Sequence, residues 1–174
     1  MLRLFFALQP AMEQSVALTA QVSPLLAGAQ PVSAQNIHAT LCFIGAVEPE
    51  KLDLLRSAAA KVHGRRVALC FDTLEHWEGP KILCATASRE SESAVALAAA
   101  IGKAAVDVGF SPDIKPFRAH LTLARKFRRD LSVEYPQPLV PPLLVSCSAF
   151  VLMESRRGDA GSIYSAVDSW PLYD

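Results

Sequence analysis

Two of the four histidines in this chain lie in nearly identical contexts. His38 begins the segment HATLCF, and His120 begins the segment HLTLAR. In both segments a threonine follows the histidine by two residues and a leucine follows it by three. From the composition, two of four histidines share this pattern by chance about once in ten thousand such sequences. The repeat therefore indicates that the two segments have a common role.

The residue types in these segments suit acid–base chemistry on a small anion. In an extended strand alternate residues share a face, so His38 projects beside Thr40, and His120 beside Thr122. If the two strands lie close together, a neutral imidazole can take a proton from a nucleophile while a protonated one gives a proton to a leaving oxygen. The threonine hydroxyls would hold the phosphate oxygens. The pattern predicts phosphate ester cleavage, with both histidines catalytic and both threonines binding phosphate.

Phe43 and Arg125 occupy matching positions, five residues after each histidine. A guanidinium there can reach a phosphate, so we predict that Arg125 is a further phosphate contact. Phe43 is a candidate for stacking on a base, with ordinary core packing as the alternative. Strict alternation points both side chains away from the histidines. A twist, a bulge or the strand end must bring Arg125 to the same side.

Charge is balanced over the whole chain, with 17 Lys and Arg against 17 Asp and Glu, which excludes phosphate binding by net charge alone. Locally, six cations and no acid lie between Asp113 and Asp130: Lys115, Arg118, Arg125, Lys126, Arg128 and Arg129. A basic rim beside the second histidine segment would attract a phosphodiester. The alternative is a solvated charged loop.

Metal and cofactor chemistry is not indicated. No Cys or carboxylate stands at ligand spacing from either motif histidine, and threonine is a poor zinc ligand, although ligands from distant segments stay open. The four cysteines form no C-x-x-C pair, so we expect reduced thiols rather than disulfides or a zinc knuckle. We predict no metal and no cofactor.

Composition and periodicity favour one compact α+β domain. Hydrophobic residues make up 51% and charged residues 20% of the chain, and the apolar stretch 94–108 is too short and too interrupted to cross a bilayer. Residues 1–8 are predicted as a buried first strand rather than a signal peptide. The remaining predicted strands are 36–44 (closed by Gly45), 67–77, 81–87, 118–125, 144–154 and 163–170. The predicted helices are 10–23, 49–64 (capped by Gly64) and 91–108. Residues 136–142 are predicted as a proline-rich loop, and Arg157-Gly158-Asp159 as a turn. Strands that arrive as hairpins indicate antiparallel pairing.

The chain resembles the two-histidine (2H) phosphoesterase superfamily, which is defined by paired H-x-[ST]-hydrophobic motifs, and more closely its RNA 2′,3′-cyclic phosphodiesterase and 2′-5′ RNA ligase family. The resemblance runs from the first strand through the two histidine segments to the closing segment 152–172, which holds Tyr164 and Trp170. It implies a two-lobed α+β fold with pseudo-twofold symmetry, in which antiparallel sheets line a central cleft and helices lie outside. Residues 1–174 would form a single bilobal domain.

The resemblance also implies hydrolysis of a 2′,3′-cyclic phosphate to a 2′-phosphomonoester without a metal. His38 and His120 become the acid–base pair, and Thr40, Thr122 and Arg125 the phosphate contacts. In this family the first histidine is usually drawn as proton donor and the second as base, but the sequence does not fix which is which.

The substrates expected from the resemblance are RNA with 2′,3′-cyclic phosphate ends or cyclic nucleotides. We expect a cytoplasmic monomer with no membrane association and no obligate protein partner. Two alternatives stay open: an RNA-end binding module without turnover, and 2′-5′ RNA ligation as the reverse reaction. His63 is predicted to lie at a helix C-terminus, outside the site. His76 and Trp77 end a predicted strand, and packing of Trp77 at the lobe boundary is favoured over a place in the substrate groove. Tyr164 is a further candidate for the cleft.

Overall fold

The computed structural model describes residues 1–128, 130, 132–158 and 161–174. Within these residues, strands and helices follow one another in the order β1 Leu2–Leu8, α1 Met12–Val22, β2 Gln30–Pro31, β3 Ala39–Val47, α2 Leu52–Ala59, β4 Val67–Trp77, β5 Ile82–Thr86, α3 Glu92–Asp107, β6 His120–Arg125, β7 Gln137–Cys147, β8 Ala149–Gly158 and β9 Gly161–Pro171. Short 3₁₀ turns lie at Ser23–Leu25, Ala34–Asn36 and Pro49–Lys51. None of the described helices is long and apolar enough to cross a membrane.

The strands form two antiparallel sheets, as the hairpin pattern predicts. The first sheet has the order β3-β1-β8-β9, and the second has the order β2-β6-β5-β4-β7. Each sheet carries one histidine segment, because His38 directly precedes β3 and His120 begins β6. The α+β class with antiparallel sheets is therefore confirmed.

The helices pack on the outside of the sheets. Helix α3 contacts β3 and β4, one strand from each sheet, and α2 packs against α3. Leu97, Ile101 and Ala105 are buried along one face of α3, at the spacing that the sequence predicts for an amphipathic helix. Ser91 stands at its N-cap, and Gly109, with φ of +89°, follows its end. This helix thus covers the joint between the two halves of the fold.

The main core runs through both sheets and includes large, fully buried side chains such as Phe6, Phe71 and Phe150. A second, smaller cluster lies on the other face of the first sheet, where Phe5, Ala7 and Met153 are buried. Because β1 is covered on both faces, its residues from Leu4 to Leu8 are all buried. The continuous apolar run in β1 follows from this two-sided burial.

Two glycines have different roles from those predicted. Gly45 does not close its strand: β3 continues to Val47, and Gly45 lies within it at φ of +90°, where the register against β1 shifts. Gly64 does not cap α2, which ends at Ala59. Instead, a Cβ at Gly64 would lie 2.9 Å from Leu172 and 3.0 Å from Leu97. Position 64 thus favours glycine because two core side chains approach its backbone.

The proline-rich segment is a strand rather than the predicted loop. Residues 137–147 form β7, which pairs with β4 and is the edge strand of the second sheet. An edge strand tolerates proline because one side of it makes no ladder hydrogen bonds. The predicted strand 144–154 is in fact the end of β7 and the start of β8. In the predicted turn between the last two strands, Asp159 lies outside the described residues.

Candidate active site

The two histidine segments line one cleft between the sheets, with a volume of about 620 Å³. The cleft holds all six site residues predicted from the sequence. Its lining comprises Arg3, Phe5, His38, Thr40, Phe43, Ile82, His120, Thr122, Arg125, Ser155, Arg157, Ser162 and Tyr164. Residues that are distant in sequence are thus brought together in the arrangement that the paired motifs predict.

A β-bulge in each motif strand brings Phe43 and Arg125 to the cleft. Along β6, Thr122 pairs with Cys84 while Ala124 pairs with Leu83, so one extra residue is inserted. The pairing of β3 with β1 shifts in the same way, at the equivalent position after Thr40. An extra residue reverses the alternation of side chains beyond it. The matching bulges resolve the orientation problem at Arg125 and give the motifs their pseudo-twofold likeness.

The two imidazoles are held by equivalent hydrogen bonds. His38 Nδ1 lies 2.7 Å from the carbonyl oxygen of Asn36, and His120 Nδ1 lies 2.8 Å from that of Arg118. In each case the carbonyl belongs to the residue two positions earlier. Because a carbonyl oxygen can only accept, each Nδ1 carries the proton and donates it. Each Nε2 is therefore the nitrogen that can accept or give up a proton in the cleft.

His38 is enclosed by aromatic rings. The ring centroids of Phe5 and Tyr164 both lie 4.9 Å from that of His38. Burial lowers the pKa of His38 from its usual 6.5 to about 4, although the hydrogen bond to Asn36 opposes the shift. The positive charges of His120 and Arg125 lower the pKa further. In the free protein His38 is thus neutral at pH 7.

His120 has a more polar environment. The Trp77 ring packs against it with a centroid distance of 4.7 Å, and the Arg118 guanidinium lies 5.2 Å from the Trp77 ring. Burial lowers the pKa of His120, while the hydrogen bond to the Arg118 carbonyl raises it. Of the charges nearby, Arg118 lowers the pKa and Glu75 raises it. The two halves of the site are therefore alike in geometry but differ in electrostatics.

The cations of the cleft come from both sheets. Arg3 on β1, Arg125 on β6 and Arg157 on β8 line it, and no carboxylate is among its described lining residues. An Arg125 N–H donates to the Tyr164 hydroxyl across 3.3 Å, which links β6 to β9. The Arg3 guanidinium lies 5.0 Å from the Phe43 ring centroid. This arrangement attracts an anion to the space between the histidines.

Comparison with known proteins identifies the family. Residues 8–81 match the family model described as LigT like Phosphoesterase. The chain is also 30% identical, over 137 residues, to the RNA 2′,3′-cyclic phosphodiesterase of Escherichia coli strain K12, a match that covers 77% of each protein. The chain belongs to the LigT-like phosphoesterases. As a phosphoesterase of this family, it is an enzyme that acts on phosphate esters.

Solved structures of the family share the fold. E. coli LigT in complex with 3′-AMP superposes with a TM-score of 0.88 at 23% identity, and the match covers 99% of both chains. The apo form of E. coli LigT gives a TM-score of 0.83 at 26% identity, over 99% of this chain and 98% of the other. TT0787 of Thermus thermophilus gives a TM-score of 0.76 at 22% identity over 97% of each chain. The two-sheet architecture around a central cleft is thus the LigT-like phosphoesterase fold.

Several cleft residues of this phosphoesterase are not apparent from the sequence. Arg157 lies in no recognisable motif, and Arg3 and Tyr164 belong to segments that only the resemblance singles out. Trp77, predicted to pack at the lobe boundary, packs against the His120 ring and is not among the described lining residues of the cleft. By contrast His76 packs against Phe127 and Tyr135, away from the cleft.

The predicted basic rim is only partly formed. Of its cations, Arg125 alone is among the described lining residues of the cleft. Lys115 pairs with Asp113 at 2.7 Å, and Arg118 pairs with Glu75 at 2.6 Å. Lys126 and Arg128 are exposed, and Arg129 lies outside the described residues. Arginines from other strands take the place that this segment was expected to fill.

Within the described part of the chain, no three His, Cys, Asp or Glu side chains converge as a metal site would require. Apart from the histidines, the polar side chains among the described lining residues of the cleft are hydroxyls and guanidiniums. Donors of this kind bind phosphate oxygens directly.

Proposed function

We propose that this enzyme hydrolyses 2′,3′-cyclic phosphates of RNA ends or nucleosides to 2′-phosphomonoesters, with His38 and His120 as its acid–base pair. The observation that carries the proposal is the pair of matched imidazoles. Each has its Nδ1 proton held by a carbonyl and its Nε2 left for chemistry, and both line one cleft with hydroxyl and guanidinium donors. The E. coli relative, named RNA 2′,3′-cyclic phosphodiesterase, supports this substrate class.

The proposed reaction needs one proton taken and one proton given. The neutral imidazole accepts a proton from water as the water oxygen forms a bond to phosphorus. The phosphorus–O3′ bond breaks, and the imidazolium donates a proton to O3′, which leaves the phosphate on O2′. Afterwards the histidines have exchanged protonation states, and exchange with solvent restores them.

In this proposal Thr40, Thr122 and Arg125 hold the non-bridging oxygens. Their donors stabilise the charge that these oxygens carry in the transition state, without a metal. The Phe43 ring, with the Arg3 guanidinium over it, offers a stacking surface for a base. We further propose that residues 1–174 act as one bilobal domain, because buried residues of both sheets belong to one core cluster.

A hydrolysis assay on 2′,3′-cyclic AMP in the presence of EDTA tests the proposal. We expect 2′-AMP as the product, and we expect the His38→Ala and His120→Ala variants to lose about 10²–10⁴-fold in kcat. His63→Ala is the matched control, because His63 is exposed and lies away from the cleft. Near-normal turnover by either motif variant would refute the acid–base pair.

The same experiment separates the alternatives. An RNA-end binding module would bind phosphorylated RNA and turn over no cyclic nucleotide. A ligase acting in reverse would join RNA ends that carry 2′,3′-cyclic phosphate and 5′-hydroxyl groups, which product analysis on cleaved tRNA halves would reveal.

A further inference from the structure

Glu75, on β4 of the second sheet, is the centre of a hydrogen-bond network behind His120. Its Oε1 accepts hydrogen bonds from Thr86 Oγ1 at 3.0 Å and from an Arg118 N–H at 2.6 Å. Its Oε2 accepts from Trp77 Nε1 at 2.8 Å and from the same Arg118 nitrogen at 2.7 Å. The carboxylate is thus engaged at both oxygens. The Glu75 side chain is only 20% exposed, whereas that of Arg118 is 58% exposed. The hydrogen bonds from Trp77 and Thr86 are therefore better shielded from solvent than those from Arg118.

The partners of Glu75 are the residues that hold the His120 ring. Trp77 packs against the ring, and the Arg118 backbone carbonyl accepts the hydrogen bond from Nδ1. Thr86 stands directly opposite His120 in the pairing of β5 with β6. Glu75 therefore binds the side chains of Trp77, Thr86 and Arg118 around His120. It is not itself among the described lining residues of the cleft.

The first motif differs at this point. Around His38 the packing partners are the rings of Phe5 and Tyr164, and no carboxylate affects its pKa. The charged groups that shift the pKa of His120 are Arg118 and Glu75. The titratable or charged residues that line the same cleft include His38 and Arg125. A cation thus acts on each histidine, but among the described residues a carboxylate that balances the cation acts on His120 and not on His38.

Glu75 is ionised at neutral pH. Burial by itself would raise its pKa, but the hydrogen bonds from Trp77 and Thr86, and the charge and hydrogen bonds of Arg118, lower it below its usual value. A neutral side chain of the same shape could not accept all four hydrogen bonds.

We propose that Glu75 is a positioning residue for His120: it fixes Trp77 and Arg118 against the imidazole and balances the Arg118 charge beside it. The proposal rests on the catalytic role proposed above for His120. It assigns a function to a carboxylate outside both histidine motifs and outside the cleft.

The test compares Glu75→Gln with wild-type enzyme by two readouts. In an NMR titration of the histidine ring protons, we expect the pKa of His120 to fall in the variant, because the Arg118 charge is no longer balanced, while His38 titrates as in wild type. In steady-state kinetics on 2′,3′-cyclic AMP, we expect kcat to fall about tenfold, the size of effect found when a partner that orients a functional histidine is removed. We expect KM to change less than about twofold.

Two further variants complete the test. Glu154→Gln is the matched control, because Glu154 is a buried, arginine-paired carboxylate in the first sheet, 2.7 Å from Arg156. It should change neither His120 titration nor kcat. Trp77→Phe keeps a ring beside His120 but removes the donor to Glu75, so it should reproduce part of the loss in kcat. This variant carries the test if Glu75→Gln does not give a dispersed, folded NMR spectrum.

The outcomes separate this inference from the proposed function. If wild-type enzyme hydrolyses the cyclic nucleotide but His120 titrates identically in Glu75→Gln with unchanged kcat, the positioning role is wrong. If wild-type enzyme shows no hydrolysis, the proposed function fails, and the titration alone still decides whether Glu75 controls the His120 ring.

Discussion

The enclosure of His38 makes the stability of the protein depend on pH in a defined window. In the unfolded chain this imidazole has its ordinary pKa near 6.5, whereas in the folded protein burial lowers the pKa to about 4. The unfolded state therefore binds the proton first as the pH falls. The contribution of neutral His38 to stability is complete above about pH 6.5 and is lost progressively as the pH falls toward 4. Proton linkage between these two pKa values gives a loss of about 2 kcal/mol between pH 7 and pH 5.

Urea unfolding at pH 7 and pH 5 measures this loss in wild type and in His38→Gln. We expect the free energy of unfolding of wild type to fall by about 2 kcal/mol more than that of the variant, because glutamine takes up no proton. His63→Gln is the control and should follow wild type, since His63 is exposed. An equal pH dependence in wild type and His38→Gln would show that the folded protein does not hold this ring neutral, and the reasoning from burial would be refuted.

Three further predictions concern the chemistry and the fold. Because one motif histidine must be neutral and the other protonated, kcat/KM should follow a bell-shaped pH profile. Its acidic limb should lie at about pH 4, set by His38, and its alkaline limb below the usual histidine value of 6.5, since burial lowers both pKa values. An optimum above pH 7 would contradict this prediction. Arg125→Met should lower kcat/KM by about 10–100-fold through loss of a charged hydrogen bond to phosphate, whereas Lys126→Met, next to it but outside the cleft lining, should have little effect in the same assay. Gly64→Ala should destabilise the fold by about 1–3 kcal/mol in urea unfolding, because its Cβ would lie 2.9 Å from a core leucine. Gly79→Ala is the control and should not destabilise the fold, because Gly79 has open space around it. Equal stabilities of the two variants would count against the close approach at Gly64.

The sequence alone identifies the catalytic candidates because the chemistry is encoded locally and twice. His38 and His120 are each followed by a threonine on the same face, which any extended strand would provide. Most strands and helices are likewise visible, since alternation and amphipathic spacing depend on nearby residues. β4 is predicted over its full length, and α1 and α3 within a residue or two at each end.

Other features depend on contacts that local patterns do not contain. The segment 137–147 reads as a loop because of its prolines, and only its place at the edge of a sheet makes a strand possible there. The bulges that turn Phe43 and Arg125 into the cleft come from the register with neighbouring strands. No property of either residue reveals them.

The tertiary structure also decides how the two motifs differ. From the sequence His38 and His120 are equivalent, but folding places aromatic rings around the first and a carboxylate, an indole and a guanidinium behind the second. Reactive groups and their strand faces are local properties, which the order of residues determines. The pKa of a histidine depends on what surrounds it in space, and those surroundings come from strands far away along the chain.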